Sequence, residues 1–246
     1  MKRANWLIYT AVALVVLSAL LYLLHFLVFR DAHHIFVYLL GDVAFVPIEV
    51  LLVTVIIHRL LSHREKRALL NKLNMVIGAF FSEVGTDLLK SFISLDEDFD
   101  EVRQNLLVKN GWTRRDFLQA GKRMAAYDYT IETNPDALDD LRAFLLVKRE
   151  FLLRLLENPN LLEHESFTDL LWAVTHLTEE LAHRDDVHGL PAADYEHLAG
   201  DVRRAYARTI GEWLKYMEHL QRAYPYLFSL AVRTNPFDPA ASAEIK

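Results

Sequence analysis

There is no cysteine among the 246 residues. A disulfide framework, a thiolate zinc site and cysteine-based catalysis are therefore excluded. Glycine and proline are scarce, and no glycine-rich phosphate loop, zincin motif or nucleophile elbow occurs. No enzyme and no cofactor are expected. Basic side chains are also in deficit. The formal net charge is -6, and beyond residue 72 acidic residues outnumber basic ones by ten. A body that acidic is a poor neutraliser of phosphates, so nucleic acid is not an expected partner. No strand pattern or internal repeat appears.

Apolar residues are abundant. They make up 52% of the chain, which excludes a disordered one. Residues 6–29, "WLIYTAVALVVLSALLYLLHFLVF", contain no charged side chain. As a helix, that run crosses a hydrocarbon core of roughly 30 Å. A cleaved signal would have a shorter apolar region and a small-x-small site, so this run is expected to be retained. Residues 35–58 form a second span. The linker "RDAHH" (Arg30–His34) is short enough to force a helical hairpin.

Orientation follows from the basic residues. Lys2 and Arg3 precede the first span, and Arg59, Arg64, Lys66, Arg67 and Lys72 follow the second. Both termini are expected on the cytoplasmic side of the cell's inner (plasma) membrane. Arg59, Arg64, Lys66 and Arg67 are expected to contact lipid headgroups.

The second span carries Asp42 and Glu49, seven positions apart. They lie about 20° out of register and so share one helix face. Pro47 between them removes a backbone donor, and Gly41 lets another backbone approach. In a tight hairpin Asp42 is level with Tyr22, with His25 a turn away, and either can donate to it. Glu49 has only Ser18 near its level. It must be neutral, meet another subunit or face a water-filled path. One reading is an acidic ring in a cation pore built from second spans of a homo-oligomer. A second is hydrogen-bonded glue between helices. Proton coupling is a third.

The remainder reads as a bundle of helices. From Glu65 to Ser94 apolar residues recur at helical spacing, continuing the second span. Gly78, Ser82 and Gly85 form a small-residue stripe suited to close packing or a bend. "DEDFDE" (96–101) opens like a calcium loop but lacks the glycine and the terminal glutamate. Asp98 with Glu101 reads better as a capping box for a helix over 99–109. Thr113 with Asp116 makes another for 114–126, with Trp112 and Phe117 as its staple. Asn134-Pro135 opens a helix to about Glu157. Ser166 and Asp169 start one that ends near His183, and Pro191 or Asp194 starts the last long one, to about Ala223. The apolar stretch 224–237 is expected to pack back on the bundle.

The expected architecture is all-α, with a transmembrane hairpin over 1–61 and a juxtamembrane amphipathic helix over 62–94. A cytoplasmic helical domain over 95–237 and a loose tail over 238–246 complete it. Eleven histidines raise the question of metal. His176, Glu180 and His183 share one helix face, and Glu180-x-x-His183 has the spacing of di-iron bundles. No second Glu-x-x-His motif accompanies it, so no metal is expected and the row reads as a solvated, salt-bridged face, with His176, Glu180 and His183 as weak metal candidates.

The favoured function is a cation-permeable homo-oligomer lined by second spans and assembled or gated by the cytoplasmic helices. The alternative is a non-conducting scaffold or sensor that binds a protein partner through those helices. A membrane-linked metalloprotein is the weaker third.

Overall fold

The computed structural model describes residues 2–159, 161 and 164–244; for 2–5, 7 and 63–71 only the backbone is described. Nine α-helices and no β-strand are found among these residues. The chain's contacts divide between Lys66 and Arg67.

The first unit holds α1 (Lys2–Phe29) and the start of α2 (Ala32–Phe80). Both helices are long and apolar enough to cross a membrane. The turn is tighter than expected, with only Arg30 and Asp31 between the helices. Arg30 takes a left-handed conformation (φ 55°), and its N–H donates to Phe26 O at 2.8 Å. That is the usual geometry for ending a helix. Asp31 accepts from His34 N–H at 3.1 Å and caps α2, which is why α2 starts at Ala32 and not at Ile35. The rings of His25 and His34 meet edge-on at 5.9 Å. Among the described side chains of residues 6–62, all but His25 and Ile35 are exposed.

In the second unit, α2 leads into a π-turn (Phe81–Gly85) and then α3 (Thr86–Ile93). The unit continues with α4 (Phe99–Leu106), α5 (Arg114–Ala125), α6 (Pro135–Leu156), α7 (Glu165–Ala182), α8 (Ala192–Ala223) and α9 (Pro225–Arg233). The end of α2, the π-turn and α3 belong to the core of this unit: Leu73, Ile77, Phe80, Phe81, Val84, Leu88 and Phe92 are all buried.

The helix α8 is central, packing on α3, α5, α7 and α9, while α6 lies against α7. Its buried residues Leu198, Val202, Ala205, Thr209, Trp213, Met217 and Leu220 recur every three or four positions. That is the stripe a core-facing helix needs. Phe228 and Phe237 bring the segment after α8 back onto the core, with Phe237 against Trp213 at 5.1 Å. The segment thought loose is tied back, since Ser242 N–H donates to Arg233 O at 2.9 Å. Ile245 and Lys246 lie outside the described residues.

Local chemistry explains the helix starts. Asp116 accepts from the N–H and hydroxyl of Thr113 at 2.7 and 2.8 Å, and Trp112 packs on Phe117 at 5.0 Å. Asn134 caps α6 by accepting from Asp136 N–H at 2.9 Å. Two starts differ from expectation. Asp98 makes no cap bond; its N–H donates instead to Asp96 at 3.1 Å, so Asp98 and Glu101 form no capping box. His164 caps α7 through its ring Nδ1, which accepts from Phe167 N–H at 3.3 Å. Ser166 and Asp169 instead accept from Lys215 and Arg208.

The small-residue stripe serves both packing and a change of helical pitch. Thr86 N–H reaches back five residues to Phe81 O, and the Thr86 hydroxyl donates to the same oxygen at 2.8 Å. A Cβ on Gly85 would lie 2.5 Å from the Phe81 ring and 2.7 Å from that of Phe80. Phe81 is in turn stacked on Tyr216 at 5.1 Å. Gly85→Ala is expected to destabilise the helical unit by about 1–3 kcal/mol, read from thermal melts of the full chain in detergent.

A pH-dependent clip joins α6 to the loop before α8. His188 Nε2 faces Asp136 at 3.1 Å and Nδ1 faces Asp186 at 2.9 Å. Asp136 and then Asp186 raise the imidazole above its ordinary range. A raised folded value means that the stabilisation is complete below the unfolded value and lost as pH climbs through the folded one. His188→Gln is therefore expected to lower the melting temperature near about pH 5.5 and to leave it unchanged near about pH 9.

Candidate functional site

The helix α7 presents His176 and Glu180 one turn apart, and the facing helix α8 presents His197 and Asp201 with the same spacing. These four side chains meet. One ligand atom from each can be chosen so that all four atoms lie within 4.8 Å of one another. His176 Nε2 is 3.2 Å from Asp201 Oδ2, and His197 Nε2 is 3.4 Å from the same oxygen. Glu180 lies 3.6 Å from His197 Nε2 and 3.9 Å from His176 Nε2. Asp201 is only 2% exposed, whereas both histidines are about half exposed. The group is a cup with a buried carboxylate at its base and imidazoles at its rim.

The carboxylates are held from behind. Arg204 donates to Asp201 Oδ1 at 2.9 Å, leaving Oδ2 for the cup. Arg184 donates to Glu180 at 2.8 Å and grips Asp194 with two bonds, at 2.9 and 2.7 Å. Arg184 holds Glu180 below the usual carboxylate range against the opposing effect of burial, with His197 and His176 adding to it. Asp194 is lowered by the same guanidinium. Two imidazoles and two carboxylates converging on one point form a donor set for a single divalent transition-metal ion.

Of the row His176, Glu180, His183, the first two enter this group and the third does not. His183 turns its Nδ1 onto the Glu179 carbonyl at 2.7 Å and stays outside the group. His197 and Asp201 complete the group. The available signal was a repeated His/carboxylate pair at i, i+4 on two helices joined by a short loop. The acidic run 96–101 forms no comparable group among the described residues.

In the other unit, Asp42 and Glu49 lie exposed on α2, with Pro47 inside the helix between them. Among the described residues neither carboxylate has a hydrogen bond or an ion pair. Neither Tyr22 nor His25 makes a hydrogen bond to Asp42; His25 instead touches Phe29 and His34. Nothing within 4 Å would meet a Cβ on Gly41. Arg59 is exposed, and the side chains of Arg64, Lys66 and Arg67 lie outside the described residues.

Residues 2–61 match the family described as "MJ1433, N-terminal helical domain". Residues 69–233 match "Uncharacterized protein MJ1433, C-terminal helical domain". The interval between these matches contains the point where the chain's contacts divide. The chain is 46% identical over 238 residues to "Uncharacterized protein MJ1433" of Methanocaldococcus jannaschii, covering 97% of this chain and 96% of that protein. No solved structure matches it.

Arg184 supports the site through a two-pronged grip that lysine cannot reproduce. Arg184→Lys is expected to cost roughly 1–2 kcal/mol of stability, read as a lower midpoint in thermal or urea unfolding.

Proposed function

The chain belongs to the MJ1433 family, and from that premise we propose that it is an integral membrane protein whose second spans associate around a cation-permeable path. The observation that carries this reading is the pair Asp42 and Glu49, on one face of an apolar helix with no partner among the described residues of their own chain. A carboxylate at the centre of a span costs about 3 kcal/mol on insertion scales. That cost falls when the group faces water or a neighbouring helix, and two helices alone cannot enclose water. A homo-oligomer supplies both. With both termini cytoplasmic, the helical unit assembles or gates the path from that side.

Asp42 and Glu49 would concentrate cations, as rings of acidic side chains do in cation channels. Pro47 and Gly41 would shape the backbone between and beside them. The basic residues after the span would fix its depth among anionic headgroups.

One observation favours the non-conducting scaffold. Tyr226, Leu227 and Leu230 of α9 are exposed, and a cavity of about 430 Å³ opens where Gly78, Tyr216, His219 and Leu227 meet. Such an apolar surface suits a protein partner.

Two measurements decide. The mass of the detergent-solubilised complex should correspond to several chains; a monomer would end the pore reading and leave the scaffold. In planar bilayers a cation conductance is expected, reduced several-fold by Glu49→Gln and by Asp42→Asn. A conductance indifferent to both substitutions would remove the carboxylates from the path.

A further inference from the structure

We propose that His176, Glu180, His197 and Asp201 bind one divalent first-row transition-metal ion, of the zinc type, that pins α7 to α8. This inference is independent of the membrane reading, because every ligand lies in the helical unit.

The geometry is that of ligands sharing a centre. Donor atoms about 2.0–2.1 Å from a tetrahedral zinc ion stand roughly 3.3 Å from one another. Asp201 Oδ2 stands 3.2 and 3.4 Å from the two imidazole Nε2 atoms, Glu180 Oε2 is 3.6 Å from His197 Nε2 and Glu180 Oε1 3.9 Å from His176 Nε2, and one ligand atom from each residue can be chosen with all four within 4.8 Å of one another, a spread that a bound ion would draw in slightly. Both imidazoles lie within ion-pair distance of Asp201 Oδ2, yet neither makes a hydrogen bond to that buried oxygen. A nine-tenths-buried carboxylate oxygen left unbonded is costly unless something else compensates it. Here it is aimed into the cup between two nitrogens, where a cation would satisfy all of them at once.

The supporting shell fits as well. Arg204 occupies Asp201 Oδ1, and Arg184 occupies Glu180 while itself held by Asp194. Each carboxylate is thereby oriented, as outer-shell bonds orient the ligands of metal sites. The donor type narrows the ion. Magnesium and calcium prefer oxygen cages, and copper(I) prefers sulfur, which this chain's cysteine-free cup does not offer. Two imidazoles with two carboxylates suit zinc and its neighbours. The half-exposed imidazoles leave a way in from solvent.

The test uses the full chain without an affinity tag, in detergent, titrated with zinc against a competing chelator. One zinc ion per chain is expected. His197→Gln and Glu180→Gln should each weaken binding at least about tenfold. His183→Gln, on the same face of α7 but outside the group, should bind as the unaltered protein does. Zinc should raise the melting temperature of the unaltered protein and of His183→Gln but not that of His197→Gln. X-ray absorption of the zinc complex should show two imidazole ligands. Three results would overturn the assignment: undiminished binding by His197→Gln or Glu180→Gln, equal loss in His183→Gln, or displacement of zinc by millimolar magnesium. Because circular dichroism reports folding separately, and His197 and Glu180 sit at the rim of the core, a loss of binding in a folded variant is read at the site.

Discussion

An apolar surface of the extent carried by α1 and the first half of α2 has to be covered. Removing such surface from water is worth about 25 cal/mol per Å², and nearly every described side chain over residues 6–62 is exposed in the single chain. Among the described residues no packing relieves it. A bilayer would cover helices of that length and composition. The carboxylates become significant only within that setting. On a helix in water Asp42 and Glu49 would be two ordinary surface acids. On a helix in hydrocarbon they are groups that require a partner.

The helical unit solves its own burial problem differently. Its core is organised by α8, whose buried stripe meets α3, α5, α7 and α9 along one continuous helix. The end of α2 completes the core, and the π-turn adjusts its pitch so that Phe80 and Phe81 both enter it. A regular α-helix would present adjacent residues about 100° apart. The longer Thr86-to-Phe81 bond loosens that spacing, and Gly85 leaves the room the two rings need.

Much of this was legible because local chemistry and global packing agree. The Thr113–Asp116 pair, the Asn134-Pro135 start and the return of Phe237 are each written in adjacent residues. The misread features depend on geometry that the sequence does not carry. Histidine is an uncommon cap, so Ser166 looked a better start for α7 than His164, although the imidazole nitrogen does the work. Asp98 has the right spacing for a capping box, but Asp96 reaches its N–H first. The expected architecture sets the helix over 62–94 apart from the domain over 95–237, whereas Leu73 and Ile77 enter the same core as the later helices, a contact that helical periodicity alone does not reveal. His197 and Asp201 were missed for a related reason. The facing helix carries His-x-x-x-Asp and not a second Glu-x-x-His, and only packing brings the two pairs into register.

The buried carboxylate of the helical unit and the exposed ones of the span pose one electrostatic problem with two outcomes. Removing an ionised carboxyl from water is costly unless charge and hydrogen bonds are returned to it. Asp201 receives Arg204 on one oxygen and two converging imidazoles on the other, so its own fold supplies nearly everything it needs. What is missing is a hydrogen bond to Oδ2, and a small cation fits that deficit. Among the described residues Asp42 and Glu49 have no hydrogen-bond or ion-pair partner, and α1 carries no lysine or arginine along residues 6–29. A carboxyl that stays protonated avoids the charge penalty, whereas one that ionises needs charge or water returned to it. In the proposed assembly a neighbouring chain meets that need, and in the proposed metal site an ion meets the smaller deficit at Asp201.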